Sequence, residues 1–402
     1  MSLLPVREAR ARVLADADLI GVVDVPLAEA AGRILARDLS ATRRQPPFPA
    51  SAMDGYAVRA ADALEIGATL RLVGASVAGR RYPGTLGAGE TVRIFTGAPV
   101  PDGADTILIQ ENAEIIDDAT VRVAVPVEPG RHIRRDGLDF ETGDKLLMAG
   151  TRLHARHIAL AAAMNHPALP VARAPRVGLI ATGDELVAPG DVPGPDQIVA
   201  SNTPALAAMI AAAGGEPVDL GIVRDNAEDT VAALSAGRER GVDVLVTMGG
   251  ASVGDHDLVR QAFGDVGMDL GFWRIAMRPG KPLIFGHLGP IRVLGLPGNP
   301  VSSLVCAELF LVPLIRALQG DDNPGPHFEQ AVLTEPMRAN DGREDYVRAR
   351  LTIRDGALPE ATPFSLQDSS MLSTLSASGA LIVRPPNAPE ADAGSVCRIL
   401  RL

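Results

Sequence analysis

Residues 247–257 read TMGGASVGDHD and follow a strand-like apolar run at 242–246. Gly249, Gly250 and Gly254, with Ser252 among them, let backbone N–H groups approach a phosphate, and Asp257 is a hard oxygen donor for the Mg²⁺ that usually accompanies one. The same residues suit a plain glycine turn that ends a strand, with Asp257 opening a solvated acidic helix. Three further strand-like runs end in polar turns: Ala181-Thr182-Gly183-Asp184-Glu185, Val223-Arg224-Asp225-Asn226, and Leu296-Pro297-Gly298-Asn299-Pro300-Val301-Ser302. Open parallel sheets bind ligands at the carboxyl ends of their strands. Four such ends facing one side would set Glu185, Asp225, Asp257 and the 297–303 loop around one cleft. Asn299 can cap the next helix with Pro300 at its first position, leaving free N–H groups for an anion. Arg274, Arg278 and Lys281 add cations in a turn-rich segment, which suits a phosphorylated or oxyanionic ligand, or a solvated basic loop. His154 and His157 show no third ligand and read as surface helix positions. Neither G-x-G-x-x-G nor G-x-x-x-x-G-K-[ST] occurs, which argues against a Rossmann dehydrogenase and a P-loop NTPase.

Strand and helix patterns alternate over 174–320, which predicts a parallel, doubly wound sheet. Its expected strands are 176–181, 218–223, 242–248, 283–285 and 291–296. Its expected helices are 203–213 with Thr203 as N-cap, 227–240, and 301–318 bent at Pro313. Residues 1–40 and 146–173 read as helical, with an amphipathic opening helix, a second at 26–32 and a third at 154–164. Between them, 41–145 shows short apolar runs broken by Gly, Pro and Asp, the pattern of a small inserted β domain. Short strands return over 321–402 at 346–353, 380–384 and 395–400. The expected division is therefore domain I at 1–40 plus 146–173, domain II at 41–145, domain III at 174–320 and domain IV at 321–402.

A chain of 402 residues exceeds one ordinary core. Its net charge of −11 argues against a nucleic-acid or anionic-membrane binder. Cys306 and Cys397 form no metal motif or disulfide framework, which suits a reducing cytosol. No signal-peptide core is visible, and no run is expected to span a bilayer. Only two lysines, Lys145 and Lys281, stand among 38 basic residues, which marks Lys281 in its RPGKP turn as a specific amine.

Several motifs then coincide in order: PFPASAMDGYA (47–57), RIFTGAPVPDGAD (93–105), TGDEL (182–186), SNT (201–203), GGASVGDHD (249–257), PGKP (279–282) and GLPGNPVSS (295–303). Together they resemble the MoeA family of molybdopterin molybdenumtransferases, related to the gephyrin E domain, over essentially the whole chain. The resemblance implies a multidomain α/β fold: a MogA-like doubly wound α/β/α domain, an inserted β domain, a helical domain and a small C-terminal β barrel or sandwich. It implies insertion of molybdate into adenylated molybdopterin with Mg²⁺-assisted release of AMP. It also implies a cytoplasmic homodimer whose cleft lies between domain III of one subunit and domain II of the other, and a MogA-like partner that delivers the substrate.

By the same resemblance Glu185, Asp225 and Asp257 hold Mg²⁺. Asp54, Asp139 and Thr96 lie in or beside the cleft with them. Thr182, Gly183, Ser201, Asn202, Gly249, Gly250, Ser252, Gly254, Pro297, Gly298, Asn299, Pro300 and Ser302 bind the nucleotide and pterin, Arg274, Arg278 and Lys281 supply cations, and Arg348 and Ser369 meet molybdate. Arg274 and Arg278 occupy positions that are often lysine, a swap in keeping with the near absence of lysine. Structural alternatives stand beside these roles. Asp54 and Gly55 can shape a turn, Thr96 can serve as a turn hydroxyl, Glu185 or Asp257 can cap a helix, and Arg348 can pair with Asp345 or Glu344. A gephyrin-type scaffold and a CinA-like nucleotide hydrolase are the competing functions.

Overall fold

The computed structural model describes residues 3–249 and 267–402. Its centre is a six-stranded sheet in the order Glu216–Val223, Arg176–Thr182, Val244–Met248, Ile291–Leu296, Ile284–Leu288, Asp269–Trp273. The first four strands are mutually parallel. Arg176–Thr182 and Val244–Met248 are buried almost throughout because both faces are covered, which is why they read as unbroken apolar runs. The sheet is nevertheless mixed, not wholly parallel as expected. Ile284–Leu288 runs antiparallel to both neighbours. Only Gly289 and Pro290 separate it from Ile291–Leu296, and a link that short makes a hairpin, since a parallel crossover needs about a dozen residues. Asp269–Trp273 was not expected as a strand. It is an edge strand exposed along most of its length and shows no clean alternation.

The helices follow the predicted pattern with shifted ends. Asn202–Ala212 has Ser201, not Thr203, at its N-cap position. Pro204 falls among the first N–H groups, which have no intrahelical partner anyway. Ala227–Glu239 is capped by Asn226, whose side chain accepts the Asp229 N–H at 2.8 Å. The long helix after the central sheet comprises Pro300–Cys306, a π-helical turn Ala307–Leu311 and Val312–Ala317. Pro313 lacks an N–H and crowds the preceding turn, so the irregularity takes the form of a π turn just upstream. By length and composition Pro300–Ala317 is apolar enough to cross a membrane, contrary to the expectation that no run would be. It is 78% buried inside the protein and belongs to the main core with Leu294, Phe310 and Leu314.

The opening helix Val6–Leu14 presents Val6, Ala9 and Val13 on one face and buries them in that same core. The second expected helix, 26–32, shrinks to the 3₁₀ turn Leu27–Glu29, which follows an unexpected strand, Val22–Pro26, paired antiparallel with Ala168–Ala172. Three valines in five residues favour extended backbone. Further antiparallel pairs nest inside this one, Leu39–Ser40 with Lys145–Leu147 and Ala50–Ser51 with Ile133–Arg134. They lead out to a second six-stranded sheet ordered Thr106–Ile109, Gly55–Val58, Glu90–Ile94, Thr69–Ser76, Thr120–Val123, Ala113–Asp117.

At the C-terminal end, Glu344–Thr352, Glu360–Pro363, Phe328–Leu333, Val396–Arg401 and Ala380–Arg384 close on one another as a five-stranded barrel. The strand Met277–Arg278 adds to Glu344 and Asp345, fastening the central region to this barrel.

Asp243 fixes the entry into the central sheet. Its carboxylate accepts two bonds from Arg173, at 2.8 and 3.1 Å, and the Arg176 N–H at 2.7 Å. Charge-assisted pairs with this fork geometry are the strong ones. Asp243→Ala leaves a half-buried guanidinium and an N–H without their acceptor, at a cost of about 2 kcal/mol. The expected result is a lower urea midpoint with an unchanged far-ultraviolet circular dichroism spectrum.

Candidate functional site

The carboxyl ends of the parallel strands converge. Gly249 has φ +109°, and a Cβ there would stand 2.5 Å from the Thr182 carbonyl oxygen and 2.7 Å from its hydroxyl. No L side chain fits. The Gly249 N–H donates to Leu296 O at 3.3 Å, and Gly183 donates to Val223 O at 3.1 Å, so backbone ties the strand ends in two pairs, and the Thr182 hydroxyl donates across them to Met248 O at 3.4 Å. Asn202, beside Ser201 at the helix start, donates its Nδ2 to Gly298 O at 2.9 Å. Its Oδ1 is buried and has no hydrogen-bond partner among the described residues. Pro297 and Ser302 are buried, while Gly298 and Asn299 face outward.

Asn299 does not cap its helix as expected. It occupies the N-cap position before Pro300, but its Nδ2 donates to the Ser369 hydroxyl at 3.0 Å. The Ser369 carbonyl accepts the Val301 N–H, also at 3.0 Å. One of the N–H groups expected to face an anion is therefore already satisfied. In return, the 297–302 loop and Ser369 are brought together across 70 residues of sequence.

Glu185 does not cap a helix. Leu186–Val187 is a short strand pairing in parallel with Ile198–Val199, and the Glu185 carbonyl accepts the Ile198 N–H at 2.7 Å. Asp225 donates its N–H to Asp184 at 3.4 Å. Burial, then the charges of Glu185 and Asp184, push the Asp225 carboxyl above its ordinary value. Asp184 was passed over in the sequence although it lies in the same TGDEL turn; only its neighbour's raised affinity for a proton singles it out. Among the described residues, no three His, Cys, Asp or Glu groups stand close enough to hold one metal ion. Asp257, Gly250, Ser252 and Gly254 lie outside the described residues.

The basic group divides. Arg274 has φ +76° and lays its guanidinium 3.8 Å over the Trp273 ring. The Lys281 carbonyl accepts the Ile275 N–H, holding the turn between them. Arg278 is spent on acids of the barrel, with a close pair to Asp345 and a second to Asp341 at 3.7 Å. Arg348 pairs with neither Asp345 nor Glu344. It is 2% exposed, and its guanidinium donates to Gln367 Oε1 at 3.3 Å and to Met371 O at 3.2 Å.

The remaining candidates sit on the inserted sheet. Asp54 accepts the Thr96 N–H at 2.7 Å and the Thr96 hydroxyl at 2.8 Å. These bonds hold its carboxyl below the usual range, with help from the Arg93 charge. Arg93 itself lies 5.0 Å from the Tyr56 and Phe95 rings. Gly55, next to Asp54, has no room for a Cβ because Leu108 O would be 2.2 Å away. Asp139 is exposed, and its N–H donates to Gln45 O at 2.9 Å. Among the described residues, no hydrogen bond or ion pair joins Asp54, Thr96 or Asp139 to the strand ends of the central sheet. His154 and His157 stand at a helix start, where the His154 N–H donates to His157 Nδ1 at 3.1 Å.

Three family models cover most of the chain: the MoeA N-terminal region (domain I and II) at 4–165, a probable molybdopterin binding domain at 178–317, and the MoeA C-terminal region (domain IV) at 330–402. The molybdopterin molybdenumtransferase of Haemophilus influenzae is 35% identical over 93% of this chain and 92% of its own. Two crystal structures of the molybdopterin biosynthesis MoeA protein from Pyrococcus horikoshii are similar over the full chain. They have TM-scores of 0.86 and 0.84 at 29% and 26% identity, covering 99% and 100% of their own chains.

The crowding around Asp225 has a pH signature. A raised pKa means that the folded chain binds this proton more tightly than the unfolded chain, so ionisation at neutral pH costs stability. Asp225→Asn is expected to raise the thermal midpoint at neutral pH. The gain should shrink as pH falls through the raised pKa and vanish below the ordinary value of 3.8. A midpoint that drops at neutral pH would contradict it.

Proposed function

The chain belongs to the MoeA family of molybdopterin molybdenumtransferases and acts in molybdenum cofactor biosynthesis; we propose that it inserts molybdate into adenylated molybdopterin with Mg²⁺-dependent release of AMP. The observation that carries this reading is the bond between Asn299 and Ser369, which sets the proposed phosphate loop beside the proposed oxyanion residues.

In this reading the strand ends Thr182, Gly183 and Gly249, with Ser201 and Asn202, bind the pterin and nucleotide. The Asn202 Oδ1, buried and without a partner among the described residues, keeps its acceptor capacity in reserve. The outward 298–299 turn, Arg274 and Lys281 face the phosphates, while Arg278 supports the seam with the barrel. Arg348 and Ser369 orient molybdate, a tetrahedral dianion that calls for a charged fork and a hydroxyl. Asp225, which feels the charges of Glu185 and Asp184, suits Mg²⁺, which keeps several waters and needs few protein ligands. Glu185, Asp225 and Asp257 would hold it. When bound, it offsets the negative charge of the phosphoanhydride. The protein's own share is to align that anhydride and the oxyanion.

Asp54, Thr96 and Asp139 enter the cleft from a second subunit of a homodimer. Asp54 is kept ionised by Thr96, which suits it to orient water or a hydrated cation. The four-part division at 1–40 with 146–173, 41–145, 174–320 and 321–402 separates these duties.

Asp54→Ala and Glu185→Ala are each expected to lower turnover at least about a hundredfold. Heterodimers carrying one substitution per subunit test the shared cleft. Isolated by two affinity tags, they keep one cleft intact in two and about half the wild-type rate. Inactive heterodimers would place both residues in clefts built from a single subunit.

A further inference from the structure

We propose that Gln367 is the positioning residue that holds Arg348 and Ser369 in place for the oxyanion, an inference that rests on the molybdate roles assigned to those two residues above. Gln367 spends its whole amide on the barrel. Its Oε1 accepts the Arg348 N–H at 3.0 Å and the Arg348 Nε at 3.3 Å. Its Nε2 donates to Arg348 O at 3.0 Å and to Phe364 O at 2.8 Å. A primary amide has two donors and one oxygen with two lone pairs, so nothing is left over for substrate. Gln367 therefore acts through Arg348.

Arg348 in turn is pinned to both ends of the segment that bears Ser369. Phe364 donates its N–H to Arg348 O at 3.0 Å, and the guanidinium donates to Met371 O at 3.2 Å. Ser369 lies between these anchors and reaches the Asn299 side chain and the Val301 N–H. The neutrality of residue 367 matters. An amide orients the guanidinium without cancelling its charge, whereas a carboxylate would neutralise it and would also face two carbonyl oxygens that now receive N–H donors.

The test is molybdate titration of turnover with adenylated molybdopterin and Mg²⁺, on wild type, Gln367→Ala, Gln367→Glu, Arg348→Ala and Ser369→Ala. Both Gln367 variants are expected to raise the molybdate concentration at half-saturation about tenfold or more, leaving the KM for adenylated molybdopterin at its wild-type value. Hydrogen exchange should accelerate within 364–371 in Gln367→Ala and stay unchanged in the central sheet. If Gln367→Ala does not fold, the nearly isosteric Gln367→Glu decides. Wild-type molybdate dependence in the Gln367 variants, with a shift in Arg348→Ala or Ser369→Ala, overturns this inference alone. A loss of kcat with both half-saturation values unchanged also overturns it. If neither Arg348→Ala nor Ser369→Ala shifts the molybdate dependence, the assigned roles fail and the inference falls with them.

Discussion

The backbone of residue 249 lies against Thr182 so closely that no side chain can stand between them. That approach keeps the carboxyl ends of neighbouring parallel strands level, and the rest of the site is assembled from it. A Cβ on Gly298 would already touch the Gly249 Cα at 3.5 Å. Asn202 reaches the Gly298 carbonyl, and Asn299 reaches Ser369 on the far side of the barrel seam. Of these approaches, only that of Gly249 to Thr182 requires missing side-chain bulk. A glycine at such a place is a requirement of space, which is a stronger constraint than turn preference.

Charge is handled differently in the supporting structure and at the strand ends. Asp243 with Arg173, and Asp345 with Arg278, are matched pairs that fasten one segment to another. At Asp184, Glu185 and Asp225, acid stands near acid, and burial first, then these charges, make the Asp225 carboxyl hold its proton more tightly. On the inserted sheet the reverse holds, because Thr96 donates twice to Asp54 and favours its ionised form. The Asp243 pair uses both carboxylate oxygens, whereas clustered like charges cost stability until something outside the chain joins them.

The nested strand pairs 22–26 with 168–172, 39–40 with 145–147 and 50–51 with 133–134 carry the inserted sheet outward. This geometry leaves Asp54 and Thr96 without a bond to the central strand ends among the described residues.

Much of the central region was legible in the amino-acid order. Strands buried on both faces must be apolar throughout, so 176–182, 244–248 and 291–296 announced themselves, and Gly, Asn and Pro marked where they end. The strand at 22–26, the edge strand at 269–273 and the barrel strands at 328–333 and 360–363 did not, because their pairing partners are remote and their faces are partly exposed. The motifs also identified the family, since they record which small and acidic residues the chemistry needs. Only the tertiary structure decided how those residues are used. It turned Asn299 from a helix cap into a partner of Ser369, and it committed Arg278 to Asp345. It also buried Arg348 behind Gln367, a residue in which the sequence shows nothing unusual. The local order of the chain determines what a backbone can adopt and which groups are available. Which donor meets which acceptor depends on segments distant in sequence that meet only when the sheet, the stalk and the barrel have packed.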